Sequence, residues 1–408
     1  MSRITPGDYD PFSDAVMRDP WPFYAALRRD APVFYLEKYD TWFLSRFEDI
    51  RKSTTNDVFT IERGPTPEMV LLKADPPADP VFSMLDPPRQ REYRRMLAPP
   101  YSPKTVAKSE AGIRSLTRDL LEPLAAKGSF DVYQDLANPV ATCVIADLIG
   151  LPRDEALPLR NLIADFFVRE PGQIGTTQAN EDARIALMTR LAEIVAERRA
   201  QGESGGDDHI SVMLRTEAEG QPMSMGAILS AIYTLLVTGS EVVPLSVANT
   251  IYYLAEHPDQ RSELIADPGK IPYAYDESLR YDQPTNLLGR FVKDPVEIRG
   301  EKLEPGQGVM FLWASGNRDE NEFERADEFD ISRRPTRNLS FGHGAHKCLG
   351  QHLGLLEGRI LLEEILAVAP DYEVDRAGAG RAYSEFLHGY EHVPIEFKPH
   401  SLPLQPLR

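Results

Sequence analysis

Cysteine is nearly absent: Cys143 and Cys348 are the only two among 408 residues. They lie far apart, so no disulfide framework is expected, and a reducing compartment such as the cytoplasm fits. Positive charge is also scarce. Lys and Arg number 45 against 63 Asp and Glu, a net charge of −18. Phosphate backbones and anionic bilayers are gripped by clustered cations, so neither nucleic acid nor membrane is an expected partner. The first residues, MSRITPGDYDPF, contain no apolar run; no signal peptide and no membrane anchor are expected. Repeats and low-complexity tracts are missing. AQGESGGDD, Ala200 to Asp208, is the one stretch with a linker's composition.

What the chain does have is apolar residues, 42% of the total, and 34 prolines set mostly in short connectors such as DPPADP and LDPP. Helical periodicity dominates. It predicts helices over Trp21 to Asp30, Pro88 to Leu97, Ser109 to Lys127, Val140 to Ile149, Asn180 to Ala200, Ser224 to Glu256, Tyr273 to Tyr281 and Gly350 to Ala369. Short strands are expected at Val33 to Leu36, Thr41 to Leu44, Val296 to Ile298, Gly308 to Trp313 and Ile395 to Lys398. The fold class is therefore mostly α with small β-sheets. Length alone favours roughly two or three domains.

Between Ala227 and Ala255 only Glu241 is charged. Such a run is long enough for a membrane span. Ser230, Thr234, Thr238, Ser240, Pro244, Ser246, Asn249 and Thr250 interrupt it, which favours a helix buried through the middle of a globular protein. Gly239, Glu241 and Pro244 each break a local rule. Glycine inside a helix costs about 1 kcal/mol and proline about 3. Their clustering points to a functional site. Pro244 lacks an N–H, so the Ser240 carbonyl loses its helix partner; that carbonyl and the Ser240 hydroxyl are candidates to hold a water beside Glu241.

The strongest local pattern is FGHGAHKCLGQHLG, Phe341 to Gly354. Gly342 and Gly344 permit close backbone approach to a flat ligand. Gly350 opens a helix just after Cys348, where exposed N–H groups stabilise a thiolate. A thiolate is a good iron ligand that pushes electron density onto the metal and favours O–O cleavage. Cys143 has no such surroundings and reads as an inert core thiol.

Phe341, Gly342, Gly344, His346, Cys348 and Gly350 fill the pattern Phe-Gly-x-Gly-x-His-x-Cys-x-Gly. This resembles the haem-binding loop of the cytochrome P450 superfamily, most closely that of the bacterial camphor-hydroxylase group. Other segments resemble the same family. Glu277 and Arg280, in YDESLRYDQP, match its structural Glu-x-x-Arg motif, and Arg333 and Asn338 match the meander before the loop, where His is frequent at the position of Asn338. DPPRQREYRR matches a helix in which the family has His where Gln90 stands, and in which Arg94 meets a haem propionate. Arg290 and His346 are implied as further propionate contacts; arginine suits carboxylates because it can bind both oxygens. The resemblance runs along nearly the whole chain. It implies one triangular α-rich domain over residues 1–408, the cytochrome P450 fold, with haem b held by Cys348.

The departure lies in the central helix. The family usually has Ala/Gly-Gly-x-Asp/Glu-Thr, the acid and threonine facing bound O2. Here Thr238, Gly239, Ser240, Glu241 and Val242 stand in that order. Valine has the shape of threonine but cannot hydrogen-bond. Its hydroxyl normally aids proton delivery, so its loss is expected to favour leakage to hydrogen peroxide. A substrate hydroxyl, hydrogen peroxide as the oxidant, or the water beside Ser240 would each repair the loss.

The resemblance implies a haem-thiolate monooxygenase acting on a small, mostly apolar molecule. Electrons would come from NAD(P)H through external partners, a ferredoxin-type protein docking near Arg95, Lys104 and Lys347; the roughly 60 residues after Cys348 hold no fused reductase. The alternatives are a hydrogen-peroxide-using peroxygenase, or a non-catalytic member acting as a partner or activator protein. The implied substrate pocket is drawn from Val58 to Val81, Phe166 to Gly175, the central helix, Pro284 to Gly289 and Phe386 to Tyr390. Leu287, Leu288, Phe386 and Leu387 supply apolar wall, and Thr285, Asn286 and His388 are candidate orienting contacts.

Overall fold

The computed structural model describes residues 3–77, 79–80, 82–202, 205–218 and 221–400. Ala78 and Val81 of the expected pocket loop, and residues 203–204 of the expected linker, fall outside this set. What is described of that linker is short: a helix ends at Ala200, and Asp208 caps the next, His209–Arg215, through the Ser211 N–H.

The central element is the helix Met225–Glu256. Ser224 is its N-cap, accepting from the Ala227 N–H at 3.0 Å. It is the one helix among the described residues long and apolar enough to cross a membrane, and most of that stretch is buried inside the protein. The helices Asn138–Ile149, Gln178–Ala200, Ile271–Tyr281 and Gln351–Val368 pack around it. Its apolar positions face protein on nearly all sides, as expected of a helix without a polar face. Together these helices form the largest buried cluster, from Phe82 to Ile395.

The expected helices are all present, several of them longer. The one foreseen from Ser109 begins at Pro103, with Ser102 as its cap, and ends at Gly128 with φ +77°. The one foreseen from Val140 begins at Asn138 and follows a π-helical stretch, Val132–Ala137. Helices at Phe47–Ser53, Arg153–Phe167 and Pro258–Ala266 were not anticipated; the first and third are short, and Pro158 stands inside the second.

The main sheet runs in the order Val33–Leu36, Thr41–Leu44, Gly308–Leu312, Leu287–Val292, Phe59–Thr60. Only the pairing of Gly308–Leu312 with Thr41–Leu44 is parallel. The Leu287–Val292 strand escaped the sequence reading, because LLGRFV is buried at most positions and does not alternate. Its register sets Arg290 opposite Val309. Two smaller apolar clusters lie on the sheet, one around Tyr24, Phe43 and Phe291, the other around Phe47, Phe311 and Trp313.

Buried charge braces the layer under the Phe341–Gly354 loop. Arg280 and Glu277 are both fully buried and pair at 2.7 Å. Arg280 also donates to the carbonyls of Asn317, Ala326 and Glu328, and Arg333 reaches Glu277 at 3.3 Å. The Glu-x-x-Arg pair is thus a core network, not a solvated helix-surface pair. Asn338 plays a local part, accepting from the Ser340 N–H at 3.2 Å.

Candidate functional site

The loop around Cys348 is held shut by its own backbone. The Cys348 N–H donates to the Phe341 carbonyl at 2.8 Å, and Gly342 and Gly344 take φ values of +68° and +75°. A side chain at 344 would also meet the Thr54 carbonyl at 2.6 Å, so only glycine lets the loop lie against that segment. Gln90, fully buried, donates to the Ala345 carbonyl at 2.7 Å. Its amide thus reaches the loop without the charge a histidine could carry. Gly350 is the N-cap of Gln351–Val368.

Cys348 is enclosed by protein mass yet solvent-accessible, as a residue in the wall of an internal cleft is. Burial pushes its thiol up, while the Gly350 N–H and the charges of Arg94 and Lys347 pull it down. Above Gly342 and Gly350 there is room: a Cβ there would find its nearest atom 4.0 Å away.

Three nitrogen-bearing side chains share this cleft's electrostatics. Arg290 is 8% exposed and donates to the Gly289 carbonyl at 2.7 Å. Burial pushes its pKa down to about 10, against the attraction of Asp86. It remains charged at neutral pH with no carboxylate in ion-pair contact among the described residues. Arg94 is half-buried and lowered by burial, with the Cys348 sulfur the one group drawing it back. His346 is pushed down to about 4, by burial first and then by Arg290 and Arg94, so it is neutral at pH 7. A buried arginine left without a counter-ion is costly unless a ligand supplies the anion. An accessible sulfur, two guanidiniums with no carboxylate in ion-pair contact among the described residues, a neutral imidazole and bare glycines fit a flat, iron-bearing dianion such as haem b.

The central-helix residues divide by direction. Gly239 faces the helix Asn138–Ile149: a Cβ there would sit 2.6 Å from Ile145 Cγ1, so close helix packing accounts for this glycine. Ser240 is fully buried. The water expected beside its free carbonyl is not needed, because Asn138 Nδ2 donates to that oxygen at 3.2 Å; the Ser240 hydroxyl turns to the Val237 carbonyl at 3.4 Å. Glu241 is buried and held by the Tyr133 hydroxyl at 2.5 Å and Asn138 Nδ2 at 3.3 Å. Burial raises its pKa, and the bonds from Tyr133 and Asn138 oppose that. Val242 and Val243 are half-buried, and Val243 Cγ2 lies 3.4 Å from where a Cβ on Gly354 would be. The central helix therefore abuts the first turn after Cys348.

Of the expected orienting groups, two are engaged elsewhere. Asn286 accepts from Tyr24 at 2.7 Å and donates to the Glu385 carbonyl at 3.1 Å. His388 is bound to Asp282 at 2.9 Å. Both are fully or almost fully buried, so neither is free to orient a ligand. The aromatic wall is clearer. Phe166 packs edge-on against Tyr233, and Phe167 stacks on Phe386. Sequence reasoning missed Tyr133 and Asn138, which carry no local signal, and Arg169, which bridges Glu68 and Glu385.

Cys143 is half-buried, with its thiol raised by burial, and lines a separate cleft of about 510 Å³ with Lys108, Leu116 and Leu353. Another cleft of about 650 Å³ lies among His257, Tyr281 and Phe329. Neither contains Cys348, Arg94 or Arg290.

Known proteins resemble this chain over almost its whole length. The family model described as Cytochrome P450 matches residues 162–368. "Putative cytochrome P450 123" of Mycobacterium tuberculosis is 30% identical over 394 residues, spanning 95% of this chain and 96% of that protein. The crystal structure of CalO2 superposes with a TM-score of 0.84 at 30% identity, over 96% of this chain and 99% of the other. A mutant of P450 EryK in complex with erythromycin B follows at 0.83 and 28%, over 96% and 98%. The chain belongs to the cytochrome P450 family and is a monooxygenase of that family, with haem b as its cofactor and, as is typical of bacterial members, electrons drawn from external redox partners.

Proposed function

We propose that this monooxygenase oxidises a small, mostly apolar organic molecule in the cytoplasm, working as one domain over residues 1–408 with a ferredoxin-type electron donor. Cys348 is the iron ligand, and Arg94, Arg290 and His346 receive the propionates, with Phe341 and Gly350 framing the cleft. The observation that carries this is the accessible Cys348 beside two arginines that have no carboxylate in ion-pair contact among the described residues. Bound haem b would supply O2 activation, placing one oxygen atom in a C–H bond and the other in water.

The chain's own residues do the remaining work. Phe166, Phe167, Tyr233 and Phe386 favour an apolar substrate and exclude water. Burial favours the protonated form of the Glu241 carboxyl, against the bonds from Tyr133 and Asn138 that favour its anion. Arg95, Lys104 and Lys347 are exposed and offer an acidic ferredoxin a cationic landing site despite the net charge of −18.

The reduced, carbon-monoxide-bound protein should show the red-shifted thiolate-haem band, and Cys348→Ala should abolish it. Persistence of that band in the variant overturns the ligand assignment. Reduction by an acidic ferredoxin should slow with rising salt and with Lys347→Glu; indifference to both overturns the docking site. Val242 favours one other reading, a peroxygenase. Product formed from hydrogen peroxide alone, at rates matching those with O2 and reductant, would establish that instead.

A further inference from the structure

The central helix is buried along almost its whole length, but Thr238 is not. It is the only exposed residue between Met225 and Ala255. Successive residues turn by about 100°, so fully buried Ser240 lies about 160° from Thr238 around the axis. Asn138 bonds to the helix on the Ser240 side, which leaves Thr238 on the opposite, open face. Thr234 and Val242, both half-buried, flank it one turn away in each direction. The open face thus reads Thr234, Thr238, Val242, and the helix next abuts the Cys348 turn at Val243. Only the last of the three lacks a hydroxyl.

Glu241 lies only about 60° from Thr238 around the axis, but it is buried. Its carboxyl is fastened by Tyr133 and Asn138. Val242 has nothing to donate. The nearest alcohol on the open face is therefore Thr238, about 6 Å along the axis from Val242, against about 12 Å for Thr234.

We propose that Thr238 is the proton-relaying residue of the oxygen site, replacing the hydroxyl that Val242 lacks. This rests on the haem-monooxygenase reading given above. Its hydroxyl now donates to the Thr234 carbonyl at 2.7 Å, leaving its lone pairs to accept from water in the cleft. Threonine in a helix divides between two rotamers, one of which makes this back-bond. Leaving it frees the proton to be donated directly or through one water. The overall step balances: a C–H bond and the O–O bond break, a C–O–H group and one water form, and the reduced ferredoxin supplies two electrons while solvent supplies two protons. Thr238 passes protons on and is regenerated.

Thr238→Val, Thr238→Ser and Val242→Thr, alone and as Thr238→Val with Val242→Thr, test this on the holoprotein. The first readout is independent of turnover: the C–O stretching frequency of the reduced carbon-monoxide complex, which responds to hydrogen-bond donors near the ligand. It should shift in Thr238→Val and stay in place in Thr238→Ser. The second is hydrogen peroxide released per reduced nicotinamide consumed. It should rise severalfold toward its ceiling of one in Thr238→Val, because a positioned proton donor is lost, and return toward wild type in the double variant. Unchanged frequency and unchanged peroxide in Thr238→Val overturn the proposal. So does Thr238→Ser behaving like Thr238→Val. A wild-type protein without the thiolate-haem band would instead overturn the underlying functional reading.

Discussion

The Tyr133 hydroxyl donates to Glu241 Oε2 at 2.5 Å, joining the π-helical stretch before Asn138 to the middle of the central helix. Asn138 completes the grip, bonding both Glu241 and the Ser240 carbonyl that Pro244 leaves without a helical donor. The buried acid Glu241 and the carbonyl that Pro244 leaves open are thus both satisfied by one neighbouring helix start.

Burial raises the Glu241 pKa above its ordinary value of 4.5. The folded state then holds that proton more tightly than the unfolded state, so this group's contribution to stability is full at acid pH and falls as pH rises through the folded pKa. Glu241→Gln should remove that fall, gaining on the wild type in urea unfolding as pH climbs from about 4 toward 8. Turnover should slow in the same variant for every substrate. A wild-type and variant difference that is flat with pH would show that Glu241 does not carry the raised proton affinity.

Arg169 ties three pocket segments together, bonding Glu68 at 2.7 Å, Glu385 at 3.3 Å and the Phe166 carbonyl at 3.2 Å. Arg169→Ala strands Glu385, which is 1% exposed, and the cost should be about 3–5 kcal/mol at pH 8. Burial already pushes Glu385 up to about 7. Arg169 holds that value down, so in the variant Glu385 takes its proton at a higher pH still, and the penalty should shrink as pH falls from 8 to 6. Unfolding free energies at the two pH values check this; equal penalties would count against it.

Arg290 is buried with no carboxylate partner, and cofactor carboxylates would supply one. Arg290→Met should leave the unfolding midpoint of the cofactor-free protein unchanged or raised, since an uncompensated buried charge is removed. It should also lower haem content per protein, read from the ratio of the haem band to the protein absorbance. Full haem retention with a destabilised cofactor-free fold would mean that Arg290 is structural.

The Glu277–Arg280 pair is buried on both sides, with Arg280 saturated by three carbonyls. Arg280→Met leaves Glu277 inside with Arg333 and the Asp330 N–H as its remaining partners, at a cost of about 3–5 kcal/mol. Thermal unfolding should show the loss whether or not haem is bound, unlike the Arg290 variant. Equal losses in both would mean that the two arginines serve one network.

The haem loop, the Glu-x-x-Arg pair and the long central helix were legible in the chain alone, because each is a short-range pattern. Glycines around Cys348 announce their backbone needs locally, and an apolar run of that length with one charge can only be a buried helix or a membrane span. Periodicity also placed most helices, since a 3.6-residue repeat is written in consecutive residues. What only the tertiary structure decided are contacts between distant segments. Gln90 reaches Ala345 and Asn138 reaches Ser240 across 255 and 102 residues, and nothing at either end of such a bond marks its partner. Exposure is of the same kind. Thr238 and Ser240 are both small hydroxyl residues in one helix, and only the packing of Asn138–Ile149 against one side of it determines which is buried and which is exposed.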